Sequence, residues 1–326
     1  MDLAFPSGNG YGLLKMNVDL RPRVLRWARE RAGLHVAELA KKIGGAVTAE
    51  VVEGWERTGK LTLTQARRLA QVTRTPEGFL YLAEPLEDKL PIPDFRTVGD
   101  APVKRPSPDL LDTVQIMQRR QAWMREFLIE EGEPPTVFVG SATPKDKPER
   151  IAGEIRKVLG CTEGWANEER TWTEALMHLR HKVEAVGILI VVDGIVGNNA
   201  YRKLSPDEFR GFVLCDAYAP LVFINGSDFK AQMSTLAHEL AHLWVGQEGV
   251  SNFEALQPTP HRIEQWCNAV AAEFLVPARE LKELWPAAQH ADEPFQFLAA
   301  RCSGSDGQFR GGDSMGSSAG AVPSGG

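Results

Sequence analysis

Apolar residues recur at helical spacing through the first quarter of the chain. Over residues 21–32, Val24, Leu25 and Ala28 share one face. Val36, Leu39, Ala40 and Ile43 then follow the i, i+3, i+4, i+7 pattern of a core-facing helix, which Gly44-Gly45 would end. Thr48 can cap a third helix that buries Val51 and Trp55, and Thr62 a fourth containing Leu63, Ala66 and Ala70. Four or five short helices on tight turns, the second and third separated by a few residues, predict an all-α helix-turn-helix bundle over residues 19–84, behind an N-terminal extension of residues 1–18.

The pattern changes after residue 84. Six prolines in the 24 residues 85–108 block regular helix and predict a linker or an extended crossing strap. Helices are then expected over 109–131, 147–159 and 168–186, and from about residues 230 and 262. The apolar, β-branched runs 188–192 and 221–224 suit buried strands, with a third strand at 210–215 and a further one at 136–139. The body over residues 109–300 is therefore expected to be α+β, built on a small sheet. Residues 303–326 contain 8 Gly and 6 Ser. They cannot bury enough apolar surface to fold, so the tail over 301–326 is expected to be disordered.

Composition narrows the setting. With 326 residues, 43% hydrophobic and 25% charged, the chain has the make-up of a globular protein with room for about two domains. No run approaches the length of a membrane span, and the start lacks a basic stretch followed by an apolar core. The four cysteines are scattered and read as reduced thiols. A cytoplasmic protein with no membrane partner is the expectation. The net charge of −6 is unevenly spread: residues 21–75 hold 12 Lys/Arg against 5 Asp/Glu, which leaves −13 for the remainder. A basic module on an acidic body implies different partners for the two parts.

The chemistry is concentrated in Ser-Thr-Leu-Ala-His-Glu-Leu-Ala-His-Leu-Trp, residues 234–244. In helix, His238 and His242 stand one turn apart on one face and can offer two imidazole nitrogens to one Zn²⁺. Glu239 lies beside that pair, placed to take a proton from an activated water and deliver it to a leaving amine. A catalytic zinc needs a third protein ligand and an open position. Glu264 follows His242 by 22 residues on the next helix, a reasonable turn-and-return distance, and one Zn²⁺ per chain is expected on His238, His242 and Glu264. Asn268, one turn further, can hold His238 through its other ring nitrogen. Glu254, His261 and Glu273 compete for the third ligand position. Tyr201, Arg202, Tyr218, His261 and Arg262 all stay open as oxyanion donors.

At these residues the chain resembles the ImmA/IrrE family of metallopeptidases. The stretch GFVLCDAYAPLVFINGSDFKAQMSTLAHELAHLW is similar to that family's approach to its zinc helix, and RIEQWCNAVAAEFLVP to its second motif. There a Glu followed by Cys-Asn or Ala-Asn supplies the third ligand, which implies Glu264 here. The resemblance implies a zincin-like domain carrying an HExxH helix. Residues PRVLRWARERAGLHVAELAKKIGG and GWER resemble the Xre/Cro-like helix-turn-helix domain often fused to such peptidases, and LPIPDFRT the junction. By the same resemblance, the expected protein substrate is a DNA-bound repressor or an adjacently encoded protein of a toxin-antitoxin system. The sequence departs from the family after residue 290, where the Gly/Ser tail replaces a further helical segment.

The basic module would meet double-stranded DNA, or a protein partner, through Arg21, Arg23, Arg26, Lys41, Lys42 and Arg57. Its candidate recognition helix also carries Glu50, Glu53 and Glu56, and carboxylates oppose phosphate contact. Glu56 can meet an arginine of the first helix instead. Two functions follow. One is a zinc endopeptidase that cleaves a regulatory protein; the other is a non-enzymatic regulator or antitoxin whose zinc is structural. Retention of Glu239 favours the first, because a structural zinc needs no base between its histidines.

Overall fold

The computed structural model describes residues 16–86, 89–94, 105–161, 165, 171–251 and 262–282. Most of the N-terminal extension, the tail, Glu254 and His261 lie outside them.

Helices α1 (Pro22–Arg31), α2 (Val36–Ile43), α3 (Ala49–Thr58) and α4 (Leu63–Thr73) enclose a core of their own. Val24, Leu25, Leu39, Val52, Trp55, Ala66 and Leu69 meet there. The Thr62 hydroxyl accepts from the Gln65 amide while the Gln65 side chain accepts from Thr62, a reciprocal cap that fixes the start of α4. This part is not all-α. Strand β1 (Asn17–Asp19) pairs antiparallel with β2 (Lys60–Thr62). Val18 and Leu61 both pack on the helical core, so three residues assigned by sequence to the extension or its edge are part of the module. Arg29 spans the helices by donating to both carboxylate oxygens of Glu56, at 2.6 and 3.0 Å.

The larger part has three layers. A four-stranded sheet runs in the order β3 (Leu189–Asp193), β7 (Leu221–Asn225), β6 (Gly211–Leu214), β8 (Gly249–Ser251). β3 and β7 are parallel; β6 is antiparallel to both β7 and β8. Every residue of β6 and β7 is buried, as continuous apolar runs dictate when both faces of a sheet are covered. One face meets helix α5 (Pro108–Glu130) through Phe212, Leu214, Leu221 and Phe223. The other, through Val213, Val222 and Ile224, meets α6 (Pro148–Leu159), α7 (Trp172–Ala185), α8 (Gln232–Val245) and α9 (Arg262–Leu275). A hairpin of β4 (Ile195–Val196) and β5 (Asn199–Lys203) stands beside the sheet. Residues 89–94 of the proline-rich segment act as a strap: the Val250 amide donates to Pro93 O at 3.0 Å and Ile92 is buried, shielding the β8 edge.

The expected strand at 136–139 is a loop. Pro134 and Pro135 precede it, Val137 is 89% exposed, and Phe138 turns inward to stack on Trp244 at 4.7 Å. Gly140 and Ala142 donate their amides to the carbonyls of Leu243 and Trp244, at 3.0 and 2.8 Å. The loop thus supplies a partner for the Trp244 carbonyl at the end of α8 and a second one for that of Leu243, which Gly246 also caps.

Candidate metal centre

Helix α8 is apolar around most of its circumference. Leu236, Leu240, Leu243 and Trp244 fill the core with Ala237 and Ala241, and this anchors the two histidines rigidly. The rings of His238 and His242 meet edge to face at 4.8 Å, with their Nε2 atoms 3.1 Å apart. The first turn of α9 brings Glu264 against both. Its Oε2 lies 3.2 Å from His238 Nε2 and its Oε1 3.0 Å from His242 Nε2. All three groups are buried, and the ligand atoms lie within 4.8 Å of one another.

The donor set fits a zinc ion. Ligand atoms around a tetrahedral zinc stand about 3.3 Å apart, close to the separations of these three. Oε1 of Glu264 is buried and makes no hydrogen bond despite its short approach to His242. Two lone pairs converging on a common point account for contact without hydrogen-bond angles. Electrostatics keep the carboxylate charged: burial alone would raise Glu264, but the close approach of His238 and His242 outweighs it and holds the group at about 2. The two imidazoles respond in opposite directions. Burial dominates at His238 and lowers it. At His242 burial also lowers, but Cys267 and Glu264 together carry it well above the ordinary value. The two imidazoles and the carboxylate lie too close to titrate independently, so the group is best treated as a unit.

Glu239 is fully buried beside the pair. It faces strand β6, and a Cβ added at Gly211 would lie 2.9 Å from Glu239 Oε1 and 2.8 Å from Thr235 Cγ2. Only glycine lets α8 cross β6 this closely. The same surroundings push the Cys215 thiol up to about 12, through burial first and then the charges of Glu248 and Glu239. Asn268 reaches His238 and raises that imidazole's proton affinity, although its Oδ1 completes no hydrogen bond. Cys267 is buried in the core and also touches His242. Gly211 and Cys215 escape sequence reading, because only the crossing of β6 over α8 brings them to the site.

The other candidates are elsewhere. Glu273 caps the Ala278 amide at 3.0 Å, so it does not compete with Glu264. Tyr201 is 94% exposed, and Arg202 is held by Asp109 and Asp112, each at 2.7 Å. Tyr218 lies under Arg125, and Arg262 is exposed at the start of α9. Arg21, Arg23, Arg26, Lys41, Lys42 and Arg57 are all exposed; Arg23 and Arg26 line a cavity of about 510 Å³ with Trp27 and Arg105.

An α+β body in which two packed helices bring together a buried His-His-Glu group defines a candidate metal-binding protein. Residues 184–309, which carry the sheet and both helices, match the IrrE N-terminal-like domain of the M78 peptidases. This match supports the ImmA/IrrE family and, with the group's geometry, a metallopeptidase role. No curated protein and no solved structure matches the chain. No helix among the described residues is long and apolar enough to cross a membrane.

Proposed function

We propose that this chain is a zinc-dependent endopeptidase that cleaves a regulatory protein, a DNA-bound repressor or an adjacently encoded partner. The observation that supports it best is the convergence of His238, His242 and Glu264 with Glu239 one residue from the first histidine. His238, His242 and Glu264 would hold the zinc, whose Lewis acidity polarises a scissile carbonyl and favours ionisation of water near neutral pH. Glu239 serves as the general base, taking a proton from the attacking water and passing it to the departing amine. Its packing against Gly211 fixes the carboxylate in one place, which favours a repeated proton shuttle over a loosely held side chain.

On this reading the N-terminal module is a helix-turn-helix that brings the enzyme to double-stranded DNA or to its substrate. The exposed Arg21, Arg23, Arg26, Lys41, Lys42 and Arg57 supply positive charge for phosphates. Engagement of Glu56 by Arg29 removes one carboxylate from the opposing side of the balance.

One observation favours a second reading, a regulator with a structural zinc: His238, Glu239 and His242 are no more than 1% exposed. The two readings separate on cleavage of proteins encoded beside this gene. Wild type cleaves one of them, while Glu239→Gln retains zinc and loses about 10²–10⁴-fold in rate. Full zinc in both proteins with no cleavage by either would support the regulator.

A further inference from the structure

Helix α5 has two faces of opposite character. Its first half buries Leu110, Leu111, Val114 and Met117 against the sheet. Further along the same side, Gln121 Nε2 donates to the carbonyls of Leu214 and Ala219, each at 2.9 Å. One turn on, Arg125 donates to Asp216 at 3.1 Å and lies over the Tyr218 ring. Most contact with the body is made on this side; on the other, Asp112 pairs with Arg202 and Ile116 packs on the core, so only the second half of the helix turns that side outward. At about 100° per residue, Arg119, Arg120, Trp123, Glu126, Phe127 and Glu130 fall on the opposite side, in a stripe about 120° wide centred on Trp123.

That outward stripe has no work in the fold. Trp123 is 64% and Phe127 44% exposed, and the two rings stack with centroids 5.9 Å apart and planes within 12°. Arg119, Arg120, Glu126 and Glu130 enter no ion pair among the described residues. A stacked aromatic pair rimmed by unengaged charges has the make-up of an interface centre, where Trp and Arg are enriched.

The order of those charges selects the occupant. Arg119 and Arg120 precede the aromatic pair, Glu126 lies within it and Glu130 follows it. A parallel copy of the helix would set like charges against each other. An antiparallel copy, with its two-fold axis at residue 125, sets Trp123 on Phe127 of the second copy. The same axis sets Arg120 against Glu130 on both sides. Self-complementarity about one axis is the requirement of an isologous contact. We propose that a second copy of this chain packs antiparallel along the outward face of α5, making a two-fold homodimer centred on Trp123 and Phe127.

The test is the mass of the full-length chain in solution by sedimentation and light scattering over a concentration series. Wild type gives the dimer mass. Trp123→Ala with Phe127→Ala weakens association at least tenfold while leaving the circular dichroism and melting profile in place. Arg120→Glu and Glu130→Arg each impair self-association, but the two chains pair with each other when mixed, since each swap complements the other across the axis. A wild-type chain that stays monomeric to about 100 µM overturns the proposal. So does a dimer indifferent to both the aromatic and the charge substitutions.

Discussion

The site depends on residues that contribute no ligand. Gly211 is one: an added methyl would press on Thr235, on Glu239 and on the Phe223 carbonyl at 2.8–2.9 Å. Gly211→Ala is expected to cost about 1–3 kcal/mol by overpacking, measured by chemical denaturation. Because the clash falls on Glu239 and not on the ligands, cleavage should fall further than zinc content does. Unchanged cleavage would mean that the base is not positioned by β6. Glu264 has a pH signature. Its folded pKa of about 2 lies below the ordinary value, so its charge stabilises the fold above pH about 4.3. That stabilisation is lost as pH falls towards 2. Chelator-treated wild type should therefore lose stability over that window, and Glu264→Gln should show a shallower acid limb. Equal slopes would remove the carboxylate from this role.

At the scale of elements, Arg29 and Glu56 join α1 to α3 with side chains only 12% and 9% exposed. Breaking a largely buried pair leaves a charge without compensation, so Arg29→Ala is expected to destabilise the N-terminal module by about 3 kcal/mol. A double change of Arg29 and Glu56 to a matched apolar pair should recover much of this, and thermal unfolding would show it. Loss of less than about 0.5 kcal/mol in Arg29→Ala would place the pair among weak surface bridges. The helices were legible in the sequence because their apolar periodicity is strong; the start of α4 was legible from its Thr62 cap. The short strands were not. β5 reads Asn-Ala-Tyr-Arg-Lys and is mostly exposed, so no alternation marks it. Its one local signal is the Gly197-Asn198 pair, both with positive φ, as a tight hairpin turn demands. The run at 136–139 misled in the other direction. Its β-branched residues suit a strand, but paired prolines and the pull of Phe138 into the core make it a clasp on α8.

On the scale of the whole molecule, the candidate metal site was the most legible feature, because its His-His-Glu group is written in spacing. Two histidines four apart on a helix, and a glutamate one helix later, leave little geometric freedom once the helices pack. The exposed aromatic face of α5 was not legible: the spacing of Trp123 and Phe127 does not say which side of the helix the sheet will occupy. Nor could spacing reveal the depth of the site. Zinc content of the purified full-length protein, wild type against Glu264→Ala, tests the central claim most directly. The account predicts about one zinc per wild-type chain and its loss in the variant, since a site with only two histidine ligands binds far more weakly. Wild-type protein without metal, or full zinc retained in Glu264→Ala, would contradict it.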